Sequence, residues 1–206
     1  MELTLKKFKE QLKAFLQKPT PKPNLDFGCQ NITIAGKNYL MCRAVVPDIQ
    51  EILRIKRAVY HGEVPHNFSE LEEQIKDKQH GLYIVVRYED QMVAFAGCDM
   101  AYAKSEAHIT KIAVLPKYQK QGLGSMMLQT LIKEAKAYGC KKISVDVKKN
   151  NLKVQKLYQE KGFRPVSRTK ACPLADGVKL EYNILPIKLT KRVGRNGKKK
   201  KFDPSL

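Results

Sequence analysis

The segment Ile112-Ala113-Val114-Leu115-Pro116-Lys117-Tyr118-Gln119-Lys120-Gln121-Gly122-Leu123-Gly124-Ser125 has the residue types and spacing with most chemical content. A β-branched run ends at a proline, and a glycine loop then opens a helical pattern. Gly122 and Gly124 lack a Cβ, so backbone amides there can approach a ligand closely. Amides at a helix N-terminus have no intrahelical acceptor and, with the helix dipole, attract anions. A pyrophosphate suits such a loop. The spacing is not the dinucleotide fingerprint G-x-G-x-x-G, because position 127 is Met, and no G-K-S/T follows to make a Walker A loop.

Other reactive residue types organise less. His61, His66, His80 and His108 form no H-E-x-x-H. Cys29, Cys42, Cys98, Cys140 and Cys172 contain no C-x-x-C pair. The cysteines are odd in number and scattered, and are expected to be free thiols in a reducing compartment, with no zinc site. No metal is expected. Cys172 has no histidine near it in sequence and is expected to be a plain thiol.

The elements that would position the loop alternate between strand and helix signals. Strands are predicted over 39–45, 81–88, 92–100, 108–114, 142–147, 163–167 and 180–189. Helices are predicted from Pro47-Asp48 to about Tyr60, after a Ser69 cap with Glu72 three residues on, over 122–138 and over 150–161. Gly139 ends the long helix. The predicted class is α/β with a mixed sheet, a hairpin first and then a β-α-β unit.

The chain resembles the GNAT superfamily of N-acetyltransferases. Gln119-x-x-Gly122-x-Gly124 matches that family's acyl-CoA motif. Asn151, Leu157-Tyr158 and Gly162-Phe163 follow in its order. The likeness covers about residues 39–189, is strongest over 107–166, and is greatest to the ribosomal-protein N-terminal alanine acetyltransferase group. It implies a GNAT-like, mostly antiparallel central sheet flanked by helices, with acetyl-CoA as co-substrate. It implies that backbone groups of Ile112, Ala113 and Val114 pair with the pantetheine arm, and that the Val114 amide faces the thioester oxygen. Gln119 belongs to the matching motif. Lys120, Gln121, Gly122, Leu123, Gly124 and Ser125 would cradle the pyrophosphate, Asn151 would bond the arm, and Tyr158 would sit near the sulfur.

Amide formation from a thioester needs a neutral amine, a donor for the developing oxyanion and, modestly, a proton for the thiolate. Tyr158, a phenol with pKa about 10, is the expected acid. Asp146 is the expected base: Val145 and Val147 face one side of their strand, so Asp146 faces the other with Ser144. The resembling group normally has Glu there, and Asp is one methylene shorter, so a water relay or a structural carboxylate beside a lysine stays open. His108 and Glu106 are the backup bases. An α-amine with pKa about 8 asks less of a base than a lysine at about 10.4, so a protein N-terminal amine is the expected acceptor. The group also carries an aromatic pair before P-x-x-D-G. Here Ala171-Cys172 precede Pro173-Leu174-Ala175-Asp176-Gly177, which keeps a polyamine- or aminoglycoside-like acceptor open.

The 206-residue chain is 43% hydrophobic, enough for a core, and carries a net charge of +19. Such charge favours anionic partners. Residues 148–170 hold eight Lys/Arg against Glu160, which suits a phosphorylated co-substrate or RNA. Residues 1–30 read as a basic amphipathic helix with a Pro-rich linker, residues 31–189 as the catalytic domain and residues 190–206 as a basic tail. The tail suits ribosome or RNA contact, or solubility alone. The first helix suits packing on its own domain or a second subunit, or a membrane surface. No stretch is long and apolar enough to span a bilayer, and a cytoplasmic location is expected. A non-catalytic acyl-CoA- or RNA-binding module is the alternative from another class.

Overall fold

A computed structural model describes residues 25–60, 68–166 and 177–184. Strands β1 (Gln30–Ile34), β2 (Lys37–Arg43), β3 (Gly81–Tyr88), β4 (Gln91–Ala101), β5 (Glu106–Val114), β6 (Lys142–Lys148), β7 (Arg164–Pro165) and β8 (Gly177–Asn183) form one sheet. Helices α1 (Ile49–Tyr60), α2 (Phe68–Lys76), α3 (Leu123–Ala137) and α4 (Leu152–Glu160) flank it. The strand order is β1-β2-β3-β4-β5-β6-β8-β7.

Every neighbouring pair is antiparallel except β5–β6, because α3 carries the chain across between those two strands. Their ladder runs only from Glu106↔Lys142 to Ile109↔Val145. At that point a bulge in the β4–β5 ladder skips Thr110, since Cys98 pairs with Ile109 and Gly97 with Lys111. A bulge bends and twists its strand. β5 therefore runs on to Val114 without β6 beside it, and the sheet opens into a gap.

The alternation of β3 sorts the two cores. Leu82, Ile84 and Val86 join α3 and α4 on one face, while Tyr83 and Val85 join α1 and α2 on the other. Both helices beside the gap end in a left-handed glycine. At α3, Gly139 has φ 91° and Cys140 N donates to Ala135 O at 2.9 Å. At α4, Gly162 has φ 91°, Gly162 N donates to Gln159 O at 2.9 Å and Phe163 N to Tyr158 O at 3.0 Å. This is a Schellman ending, which brings the residue after the glycine onto the last turn. Phe163 accordingly meets Tyr158 edge to face at 5.1 Å between centroids, which is the physical content of the L-Y-x-x-x-G-F spacing.

Three expectations change. β1 lies where no strand was predicted, and packing begins ahead of residue 31, because Leu25 and Phe27 are buried in the core. Ser69 is the second residue of α2 rather than its cap. Cys29 and Cys42 are joined by a disulfide, so these two are not free thiols, because the β1–β2 register sets them opposite each other. Cys98 and Cys140 are free and buried. The first helix, its linker, the basic tail, Cys172 and residues 173–176 of the P-x-x-D-G stretch lie outside the described residues. Among the described residues, no helix is long and apolar enough to cross a membrane.

Candidate active site

The 119–125 loop is held from within. Gln119 Nε2 donates to Val114 O at 2.9 Å, tying the loop to the strand it leaves. Gln121 Nε2 donates to Lys117 O at 3.0 Å. Lys120 and Gly122 are both left-handed, with φ 59° and 100°, a local alternation that turns amides inward into an anion-binding concavity. No side chain caps α3 at Gly122, and the first helical bond comes from Met126 N at 3.0 Å. The amides of Leu123, Gly124 and Ser125 therefore have no intrahelical acceptor. Among the described residues, a Cβ on Gly124 would meet nothing nearer than Val114 Cγ2 at 3.9 Å, so the first turn of α3 is not packed over at Gly124. This cradle fits a pyrophosphate.

Beyond the gap, β5 offers alternate backbone groups. Leu115 N donates to Val93 O at 2.9 Å, so by strand alternation the groups of Ala113 face β4 and those of Ile112 and Val114 face the gap. Consistently, the Ile112 carbonyl accepts Tyr60 Oη at 3.2 Å and the Val114 carbonyl accepts Gln119. The N–H groups of Ile112 and Val114 thus face the gap, with their carbonyls already held by Tyr60 and Gln119, whereas Ala113, expected to pair with the pantetheine arm, is turned to β4 instead.

Tyr158, 6% exposed, enters the core from α4. Burial pushes its phenol well above the usual value, helped by Tyr60 and Cys98 nearby. Cys98 is fully buried and its thiol is likewise pushed up by burial, so it stays neutral. Tyr158 is therefore a protonated phenol. Asn151 caps α4, its Oδ1 accepting Val154 N at 3.2 Å.

Asp146 lies on β6, on the face away from α3 and α4. Its Oδ2 is 3.7 Å from His108 Nε2, and its buried Oδ1 has no hydrogen-bond partner among the described residues. His108 Nδ1 pairs with Ser144 Oγ at 3.1 Å. Burial lowers the His108 pKa, Asp146 opposes this, Lys179 adds to it and Asp99 opposes it. Lys179 is the register partner of Asp146 and lies 3.8 Å from Glu181. A cavity of about 590 Å³ opens beside this group, with Gln74, Asp77, Asp99, His108, Ser144 and Lys179 among its walls. Glu106, the other backup base, pairs with Lys142 at 2.9 Å. Among the described residues, no group of His, Cys, Asp or Glu could hold a metal ion. Tyr60 and Lys179 had no sequence signal, since one ends a helix and the other is the third residue of an unremarkable strand. Only their registers bring them here.

The sequence model of the acetyltransferase (GNAT) family matches residues 49–163. The chain belongs to that family. It is 32% identical over 124 residues to the [ribosomal protein bS18]-alanine N-acetyltransferase of Escherichia coli K12, covering 58% of this chain and 82% of that protein. It is 28% identical over 143 residues to an N-alpha-acetyltransferase of Sulfolobus acidocaldarius, covering 65% and 84%. The PaiA N-acetyltransferase of Thermoplasma acidophilum, solved in complex with coenzyme A, shares the fold at TM-score 0.62 and 13% identity, covering 70% of this chain and 98% of that one. The GNAT fold and N-acetyltransferase class expected from the Gln119–Gly124 motif therefore hold.

Proposed function

We propose that this N-acetyltransferase moves an acetyl group from acetyl-CoA directly to the α-amine of a protein N-terminus. The observation that carries the reading is Asp146, whose buried Oδ1 has no hydrogen-bond partner among the described residues while its Oδ2 lies beside His108, a group whose pKa burial lowers. An N-terminal ammonium ion satisfies that orphaned oxygen, and an unpaired buried carboxylate oxygen otherwise costs stability. The acceptors named for the relatives, an alanine of ribosomal protein bS18 and α-amines generally, agree with it.

The uncapped α3 amides and Gly122–Ser125 hold the pyrophosphate, and Gln119 fixes the loop that presents them. The gap-facing edge of Ile112 and Val114 pairs with the pantetheine arm as an added strand. Asp146 takes the proton of the bound ammonium, directly or through one water, and frees the nitrogen lone pair. As the amine adds to the thioester carbon, the Val114 N–H donates to the carbonyl oxygen that gains charge. Collapse expels the thiolate, and Tyr158 gives it the phenolic proton. The nitrogen, which still carries two hydrogens after addition, gives its second proton to the Tyr158 phenolate as it becomes the amide; Asp146 passes the first to solvent, and no enzyme residue is acylated.

The test is incubation of the purified protein with acetyl-CoA and separate N-terminal-alanine peptides, blocked lysine peptides, polyamines and aminoglycosides, reading coenzyme A release and product mass. The expected product is acetylated at the α-amine. Turnover confined to a polyamine or aminoglycoside overturns the acceptor, and binding without turnover on any amine favours the non-catalytic module.

A further inference from the structure

The β1–β2 hairpin lies outside the residues that match the family, yet it touches the phosphate loop at two points and the Tyr118 ring ahead of the loop at a third. Ile34 Cγ2 lies 3.4 Å from where a Cβ on Gly122 would stand. Tyr39 Oη donates to Gln121 Oε1 at 3.5 Å. The Lys37 ammonium sits 5.5 Å above the Tyr88 ring and 5.9 Å above that of Tyr118, four residues before Gly122. The hairpin is itself closed at both ends. Its two-residue turn is Ala35-Gly36, with φ 49° and 74°, the mirror-type turn that matches strand twist. At the other end, Cys29 and Cys42 continue the ladder one step past Gln30↔Met41, and the disulfide joins them. Beside it, Arg43 donates to the carbonyls of Leu25 and Gly81.

Left-handed backbone at Lys120 is disfavoured and persists only where the surroundings over-determine it. Two of the three contacts, those of Ile34 and Tyr39, fall on the residues flanking and forming that turn. We propose that the β1–β2 hairpin is the positioning element of the 119–125 loop, with Ile34 and Tyr39 as its positioning residues and the Cys29–Cys42 bond as the clamp that sets how firmly it bears on the loop. The inference rests on the reading of this loop as the acyl-CoA cradle. Opening the clamp is a two-electron reduction. A phosphine takes oxygen from water and becomes the phosphine oxide, while the disulfide gains two hydrogens and becomes two thiols. Donor affinity then depends on the redox state of a bond that touches neither substrate.

Acetyl-CoA binding by calorimetry, and kcat with KM for donor and acceptor, are compared for wild type, Ile34→Ala, Ile34→Val, Tyr39→Phe and phosphine-reduced wild type, with folding checked by circular dichroism. Ile34→Ala and reduction are expected to raise Kd and KM for acetyl-CoA about three- to tenfold, with kcat at saturation and acceptor KM unchanged. Ile34→Val is expected to restore wild-type values. Folded Ile34→Ala with wild-type donor affinity overturns the proposal. Should Ile34→Ala fail to fold, Tyr39→Phe, which removes only a hydroxyl, decides in the same way. A response to Ile34→Ala without one to reduction overturns the part given to the disulfide. Wild type that binds no acetyl-CoA overturns the acyl-CoA reading itself.

Discussion

His108 and Asp146 face each other across the parallel pair β5–β6, with His108 Nε2 3.7 Å from Asp146 Oδ2, while Asp146 Oδ1 is buried with no hydrogen-bond partner among the described residues. The imidazole cannot satisfy both oxygens. The carboxylate is thus oriented on one side and left open on the other, which is what a proton acceptor for an incoming cation needs.

Asp146→Asn keeps the shape and removes the base. At pH 7 it is expected to lower kcat/KM about 10²-fold, with acetyl-CoA affinity retained. The loss should shrink as pH passes the α-amine pKa of about 8, where the acceptor is already neutral. Steady-state rates from pH 6 to 9 on an alanine peptide check this. A loss independent of pH would leave Asp146 as a structural carboxylate.

Tyr158→Phe keeps the ring contact with Phe163 and removes the proton donor. Because a thiolate is already a fair leaving group, the expected fall in kcat is about 10²-fold, at the low end of acid catalysis, with acetyl-CoA Kd unchanged. Burial holds the phenol pKa above 10, so wild-type kcat should show no alkaline fall below pH 10. Rapid-quench and binding measurements separate chemistry from affinity.

Two glycines separate binding from folding. A Cβ on Gly124 meets only Val114 Cγ2 at 3.9 Å, so Gly124→Ala should melt like wild type while raising acetyl-CoA KM about tenfold through the space it takes before the α3 amides. A Cβ on Gly97 would lie 2.5 Å from the Tyr83 ring and 2.6 Å from Thr110 Oγ1. Gly97→Ala should therefore cost about 1–3 kcal/mol of stability, read by denaturant unfolding.

His108 links stability to pH. Burial lowers its folded pKa below the unfolded value of about 6.5. Between the two values the unfolded chain binds more protons, so stability rises with pH there. The contribution is complete above about 6.5 and is lost as pH falls below it. Melting curves from pH 5 to 8 should show a steeper acid loss for wild type than for His108→Gln.

Local chemistry was legible in the sequence. The Gln119-x-x-Gly122-x-Gly124 loop, the helix after it, the glycine stop at Gly139 and the alternation that puts Asp146 with Ser144 all depend on residues within a few positions of one another. They are decided by backbone sterics and hydrogen-bond reach, and a linear reading contains both. The register of distant strands was not legible. Alternating Asn31, Ile32, Thr33 and Ile34 carried a faint strand signal, but nothing local set Cys29 opposite Cys42. Nothing local set Thr110 out of the ladder so that β5 leaves β6 after Ile109, or brought His108 to Asp146 and Tyr60 to the Ile112 carbonyl. Those neighbours are made by strand pairing and by the packing of helices on two faces, which depend on the whole chain at once. The sequence by itself determined which groups exist and how each is held locally. The tertiary structure decided which of them meet at the gap.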